Sequence, residues 1–192
     1  MKLGIWGDSI TYGAGDSEAL GWVGRLRKSL EAVADVGVYN FGVCGDTTDD
    51  LLRRFSVEAD AIKPNIIVFA IGINDSKYPA GETENRVPLE KFKQNIQALL
   101  KLARNYTATI YVVGATKVDE ALIRDSGTRF VNEMIQSYNS FLKEFSESEG
   151  LIYVDVFDVL DTGTDLDDGL HPNTQGYEKL YRTISASCNF GK

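Results

Sequence analysis

Ser9 stands in Gly7-Asp8-Ser9-Ile10-Thr11, directly behind a short apolar run. His171, the only histidine of the chain, stands near the other end in Asp167-Asp168-Gly169-Leu170-His171-Pro172. A serine hydroxyl is a poor nucleophile until a base accepts its proton. Histidine is the side chain whose unperturbed pKa suits that work near neutral pH. A neighbouring carboxylate, Asp168 or Asp167, could hold one ring nitrogen and turn the other toward the hydroxyl. Attack on an ester carbonyl builds negative charge on oxygen, so fixed donors must surround it. The candidates are the backbone N–H groups of Ser9 and Gly45 and the side-chain amide of Asn74, in Gly72-Ile73-Asn74-Asp75. Glycine at position 45 would let the backbone approach a substrate closely.

These segments can cooperate only if the fold gathers them. Strand candidates are 2–6, 36–41, 65–71, 109–114 and 151–156, short runs rich in Val, Ile and Tyr. They are mostly continuous rather than alternating, as parallel strands buried on both faces tend to be. Helical stripes fall between them: Trp22, Leu26, Leu30 and Val33; then Phe92, Ile96, Leu99 and Leu100 behind Pro88; then Phe130, Met134, Tyr138, Phe141 and Phe145; then Tyr177, Leu180, Tyr181 and Ile184. All read as core-facing. Thr47-Thr48-Asp49-Asp50 offers N-cap residues ahead of Leu51.

Strands alternating with helices imply a parallel sheet covered on both faces. The expected architecture is a three-layer α/β/α sandwich in one domain over 1–192, with flavodoxin-like strand order 2-1-3-4-5. Ligands of such sheets bind beyond the carboxyl ends of the strands, where the winding reverses. Ser9 follows strand one, Gly45 strand two, Asn74 strand three and His171 strand five. All four therefore fall on one edge of the sheet, with Ser9 between Gly45 and Asn74.

With these blocks in this order, the chain resembles the SGNH hydrolases, the GDSL-type esterases and lipases. Gly7-Asp8-Ser9-Ile10-Thr11 is similar to the first block, 40–47 to the second, 72–75 to the third and 168–172 to the last. The resemblance implies Ser9 as nucleophile, His171 as base and Asp168 as its partner. It also implies Ser9, Gly45 and Asn74 as the oxyanion hole. Asp8, Cys44 and Asp75 flank these residues and are substrate-pocket candidates, although Asp8 and Asp75 also suit bracing their turns. Cys44 and Lys117 depart from the common pattern and bear on substrate fit. The Gly-x-Ser-x-Gly elbow of α/β-hydrolases is absent from the sequence.

The expected reaction is hydrolysis of small neutral carboxylic esters through an acyl-enzyme. Carbohydrate O-acetylesterase, thioesterase and lysophospholipase activities use the same catalytic set. A non-catalytic binding domain on a flavodoxin-like scaffold is the reading from another class. The net charge of -8 argues against nucleic acid and anionic membranes as partners. Asp46, Asp49, Asp165 and Asp167 suggest an acidic rim that disfavours anionic substrates. The segments 76–87 and 117–128 could line the same rim. Two cysteines give neither a disulfide framework nor a metal motif. Gly13-Ala14-Gly15 lacks the spacing of a phosphate loop. No cofactor, no metal and no membrane span are expected, and the start of the chain does not read as a signal peptide, so a cytoplasmic location is expected. Oligomeric state is not legible in the sequence.

Overall fold

The structure, a computed structural model, describes residues 1–123 and 127–190. Its strands are β1 (Lys2–Gly7), β2 (Gly37–Gly42), β3 (Ile66–Ala70), β4 (Ile110–Val113) and β5 (Ile152–Val154). All pair in parallel, in the order β2-β1-β3-β4-β5. The helices are α1 (Ser9–Tyr12), α2 (Gly21–Glu31), α3 (Thr48–Ile62), α4 (Ile73–Ser76), α5 (Leu89–Ala103), α6 (Asn132–Ser148) and α7 (Thr174–Ser187).

Alternate residues of each strand serve opposite faces. Leu3 and Ile5 of β1, Val68 of β3 and Val113 of β4 pack with Trp22 and Leu26 of α2 and Tyr177 and Leu180 of α7. Trp6, Phe69 and Val112 turn the other way, onto Phe55 of α3, Phe92 of α5 and Tyr138 of α6. The result is the expected three-layer sandwich. Burying both faces explains why the strands read as continuous apolar runs.

Two helical stripes differ from expectation. Val33 lies past the end of α2 and is 82% exposed, so the stripe stops at Leu30. In α6 the buried line runs through Ile135, Tyr138 and Leu142. Met134, Phe141 and Phe145 lie beside it, partly buried. α3 begins as the sequence suggests: Thr47 caps it, and the Asp50 carboxylate returns to accept the Thr47 N–H. Pro88 is the cap of α5 rather than its first helical residue.

A third, smaller apolar cluster lies among the site segments. It contains Ile73 and Val118, with Ile10 and Leu170 packed against it. Ile10 follows Ser9, Ile73 precedes Asn74 and Leu170 precedes His171. Three separate segments are thus anchored by the residues adjoining the polar ones.

Candidate active site

Ser9 opens α1 directly beyond the end of β1. Asp8 caps that short helix by accepting the Ile10 N–H at 2.9 Å. The cap uses the Ile10 donor, not the Ser9 N–H. Ser9 is only 6% exposed, yet its Oγ lies 2.9 Å from His171 Nε2 across 162 positions of sequence. His171 Nδ1 lies 2.7 Å from Asp168 Oδ2. With the ring proton on Nδ1, donated to Asp168, the Nε2 lone pair faces the serine hydroxyl.

Asp168 also shapes the loop that carries the histidine. Its Oδ1 accepts the N–H groups of Leu170 at 2.9 Å and of His171 at 2.8 Å. Gly169 makes the turn possible at φ +89°, where a Cβ would meet the Ile123 N and Asp119 O at about 3 Å. The carboxyl's partial burial would raise its pKa. The bonds from the His171 and Leu170 N–H groups and from the ring outweigh that and hold it below the usual carboxylate value. Asp168 is therefore charged at neutral pH. Of the two neighbouring aspartates, Asp168 and not Asp167 reaches the ring; Asp167 gives its backbone N–H to the His171 carbonyl.

The turn after β2 runs from Gly42 to Thr47. Val43 N–H donates to the Gly7 carbonyl and Asp46 N–H closes the turn on the Val43 carbonyl, both at 3.1 Å. That closing bond leaves the Gly45 N–H out of the turn. Gly45 sits at φ +82°, a conformation glycine adopts without penalty. Asn74, 5% exposed on α4, donates one Nδ2 hydrogen to the Asp46 carbonyl at 3.1 Å. This fixes the direction of its second hydrogen. The amide and the Gly45 turn are thereby one connected unit.

The three pocket candidates do not share one environment. Cys44 is exposed. Partial desolvation of its sulfur beneath that exposed surface and the charges of Asp8 and Asp46 push its thiol pKa up, which suppresses the thiolate a nucleophile needs. Asp8 and Asp75, expected at the pocket, are instead buried, at 2% and 0% exposure. Helix ends claim them: Asp8 caps α1, and Asp75 accepts the Thr48 backbone N–H and hydroxyl at the start of α3.

The acidic rim also needs correction. Asp165 is fully buried and pairs with Lys179 at 2.6 Å. Asp46 pairs with Arg54 at 2.7 Å, and Asp49 accepts from Asn95 at 2.9 Å. Asp167 remains exposed. Tyr78 of the first rim segment forms an antiparallel bridge with Arg129, the residue just past the second; within that second segment, 124–126 lie outside the described residues. Lys117 pairs with Asp158 at 3.2 Å.

Arg86 in the first rim segment was not singled out by sequence. Its Nη1 donates to the Gly45 carbonyl at 3.1 Å, and the side chain is 38% exposed. Nothing in its local sequence marks it, because its partner comes from a different loop. Among the described residues, no group of three or more His, Cys, Asp or Glu side chains is placed to hold a metal ion. No helix of the described residues is long and apolar enough to cross a membrane.

Residues 5–179 match the model of the GDSL-like Lipase/Acylhydrolase family. The chain belongs to that family. Membership places it among the carboxylic-ester hydrolases. An acetylxylan esterase from Geobacillus stearothermophilus is 26% identical, over 98% of this chain and 94% of its own. Esterase TesA of Pseudomonas aeruginosa is 24% identical over 96% of this chain and 86% of its own. The crystal structure of a lipase/acylhydrolase from Enterococcus faecalis superimposes with a TM-score of 0.80 at 25% identity, covering 96% of this chain and 93% of that one. The family fold and this sheet agree in strand order.

Proposed function

We propose that the protein is a serine esterase that removes short acyl groups from small neutral esters, with O-acetyl groups on carbohydrates as the leading substrate class. The observation that carries the reading is the hydrogen-bonded chain from Asp168 through His171 to Ser9, at 2.7 and 2.9 Å. The whole-length similarity to an acetylxylan esterase supports the substrate class.

In this mechanism Ser9 Oγ attacks the carbonyl carbon as Nε2 of His171 takes the hydroxyl proton. Asp168 steadies the imidazolium through Nδ1. The carbonyl oxygen becomes an oxyanion, met by the Ser9 and Gly45 N–H groups and the second Nδ2 hydrogen of Asn74. Collapse breaks the bond to the alcohol, which leaves with the proton from Nε2. Water, giving a proton to the same nitrogen, attacks the acyl carbon; collapse breaks its bond to Ser9 Oγ, which takes the proton back from Nε2 as the acid leaves.

The net charge of -8 disfavours strongly anionic substrates. Acyl-CoA, with its phosphate charges, should therefore react poorly; on the short-acyl reading, acetyl and propionyl aryl esters and acetylated xylo-oligosaccharides should show a higher kcat/KM than palmitoyl esters as well. Initial rates over that series are the test. A preference for acyl-CoA or for palmitoyl esters would overturn the substrate class while leaving the ester chemistry in place.

A further inference from the structure

Two of the three oxyanion donors in the proposed mechanism are main-chain N–H groups from different strand ends. Ser9 follows β1 and Gly45 follows β2. Their spacing in the site depends on whatever ties those ends together. One side chain bonds both. Arg54, on α3, donates Nη2 to the carbonyl of Gly7 at 3.1 Å and to that of Phe41 at 2.9 Å. Its Nε donates to the Asp46 carboxylate at 2.7 Å and its Nη1 to Glu58 at 2.7 Å.

Gly7 is two residues before Ser9, and Asp46 directly follows Gly45. The guanidinium is largely shielded, at 19% exposure. Glu58 is held in turn by the indole N–H of the buried Trp6, at 2.8 Å. A planar fork with fixed donor directions can serve two carbonyls and two carboxylates at once. A lysine ammonium is a point charge with three donors and cannot reproduce that pattern.

We propose that Arg54 is a positioning residue for the oxyanion hole. It sets the distance between the Ser9 and Gly45 N–H groups by gripping the ends of β1 and β2 and the Asp46 carboxylate in one fork. The proposal rests on reading those N–H groups as oxyanion donors. Arg54 touches no reacting atom in that scheme and shares no bond with the Asp168–His171–Ser9 chain. An interaction that matters only when the oxyanion forms lowers kcat and leaves KM in place.

The test measures kcat, KM and thermal melting for Arg54→Lys and Asp46→Ala, in wild-type and Asn74→Ala backgrounds, with an aryl acetate. Asp46→Ala breaks the tie to the Gly45 turn from its carboxylate side, leaving the guanidinium its two carbonyls and Glu58, and serves if the Arg54 variant does not fold. Displacing a donor by a fraction of an ångström should cost roughly 10- to 100-fold in kcat, with KM within about twofold. In the Asn74→Ala background, where the hole is already incomplete, the same substitutions should cost at most about a third of that factor. Unchanged kcat in folded variants would overturn the proposal. So would a loss confined to KM, or one equally large in both backgrounds, which marks a general loss of structure. Hydrolysis that survives Ser9→Ala would remove Ser9 as the nucleophile, and with it the reading of these N–H groups as oxyanion donors on which this proposal rests.

Discussion

Asp8 and Asp75 are carboxyl groups that folding takes out of water at the edge of the site. Burial raises Asp8 from 3.8 to about 7; the Ile10 N–H pulls it down, and the charges of Asp75 and Asp46 push it up further. Burial likewise raises Asp75 to about 7, against the bonds from Thr48 and with the charge of Asp49 adding to the rise. Such groups bind protons more tightly in the folded than in the unfolded chain. Their contribution to stability is complete below the unfolded value near 4 and is lost as pH rises through about 7. Asp16 and Asp165 act in the opposite sense. Burial opposes them too, but bonds from Arg25 and Thr174 to Asp16, and from Lys179 and the Asp161 N–H to Asp165, hold both below the usual value. Their contribution is present above the unfolded value and is lost as pH falls. Asp8→Asn keeps an oxygen to accept the Ile10 N–H and removes the titration. The melting temperature of Asp8→Asn minus that of wild type should rise from pH 4 to about pH 7 and then level off. A difference that is flat over that range would contradict the assignment. None of this is visible in the motif Gly-Asp-Ser, because the exposure of a carboxyl depends on what packs around it.

At the scale of elements, the site depends on α1 lying close against the end of β2. Gly42 makes that approach possible: a Cβ there would stand 2.2 Å from the Tyr12 nitrogen. The Thr11 carbonyl carbon would follow at 2.7 Å; both are backbone atoms and not flexible side-chain tips, so Gly42→Ala should destabilise the fold by about 1–3 kcal/mol. For a chain of this size that corresponds to several degrees in melting temperature. Gly45→Ala meets no atom within 4 Å and should cost only the strain of its left-handed conformation, about 1 kcal/mol. Thermal unfolding of the two variants separates the cases; equal losses would contradict this account of the contact. The same elements show what sequence could tell. Strand order and the sheet edge of Ser9, Gly45, Asn74 and His171 followed from the alternation of apolar runs and helices, because parallel pairing leaves few topologies. Helix ends were less legible. Val33 continues the helical spacing but falls past Glu31, and the apolar residues of α6 outnumber those its buried line can hold. Arg54 could not be found from its own surroundings, since its acceptors include main-chain carbonyls at the ends of two distant strands.

For the whole molecule, the fold brings residues from both ends of the chain into one bonded series. Gly15 makes room for the last member: at φ +87° its missing Cβ would lie 3.1 Å from His171 Cβ. Around it, Tyr177 of α7 donates its hydroxyl to the Ala14 carbonyl at 2.7 Å, and Thr174 donates to the Asp16 carboxylate at 2.7 Å. The first loop and the last helix are thus fastened together, and the serine and histidine with them. The central claim is that Ser9 is the nucleophile this arrangement activates. The direct measurement is intact-mass spectrometry after incubation with a fluorophosphonate, on wild type and on Ser9→Ala of equal melting temperature. The account predicts one covalent adduct on the wild type, at Ser9, and none on the variant, together with loss of aryl acetate hydrolysis. An adduct that persists on Ser9→Ala, or hydrolysis that survives the substitution, would contradict it.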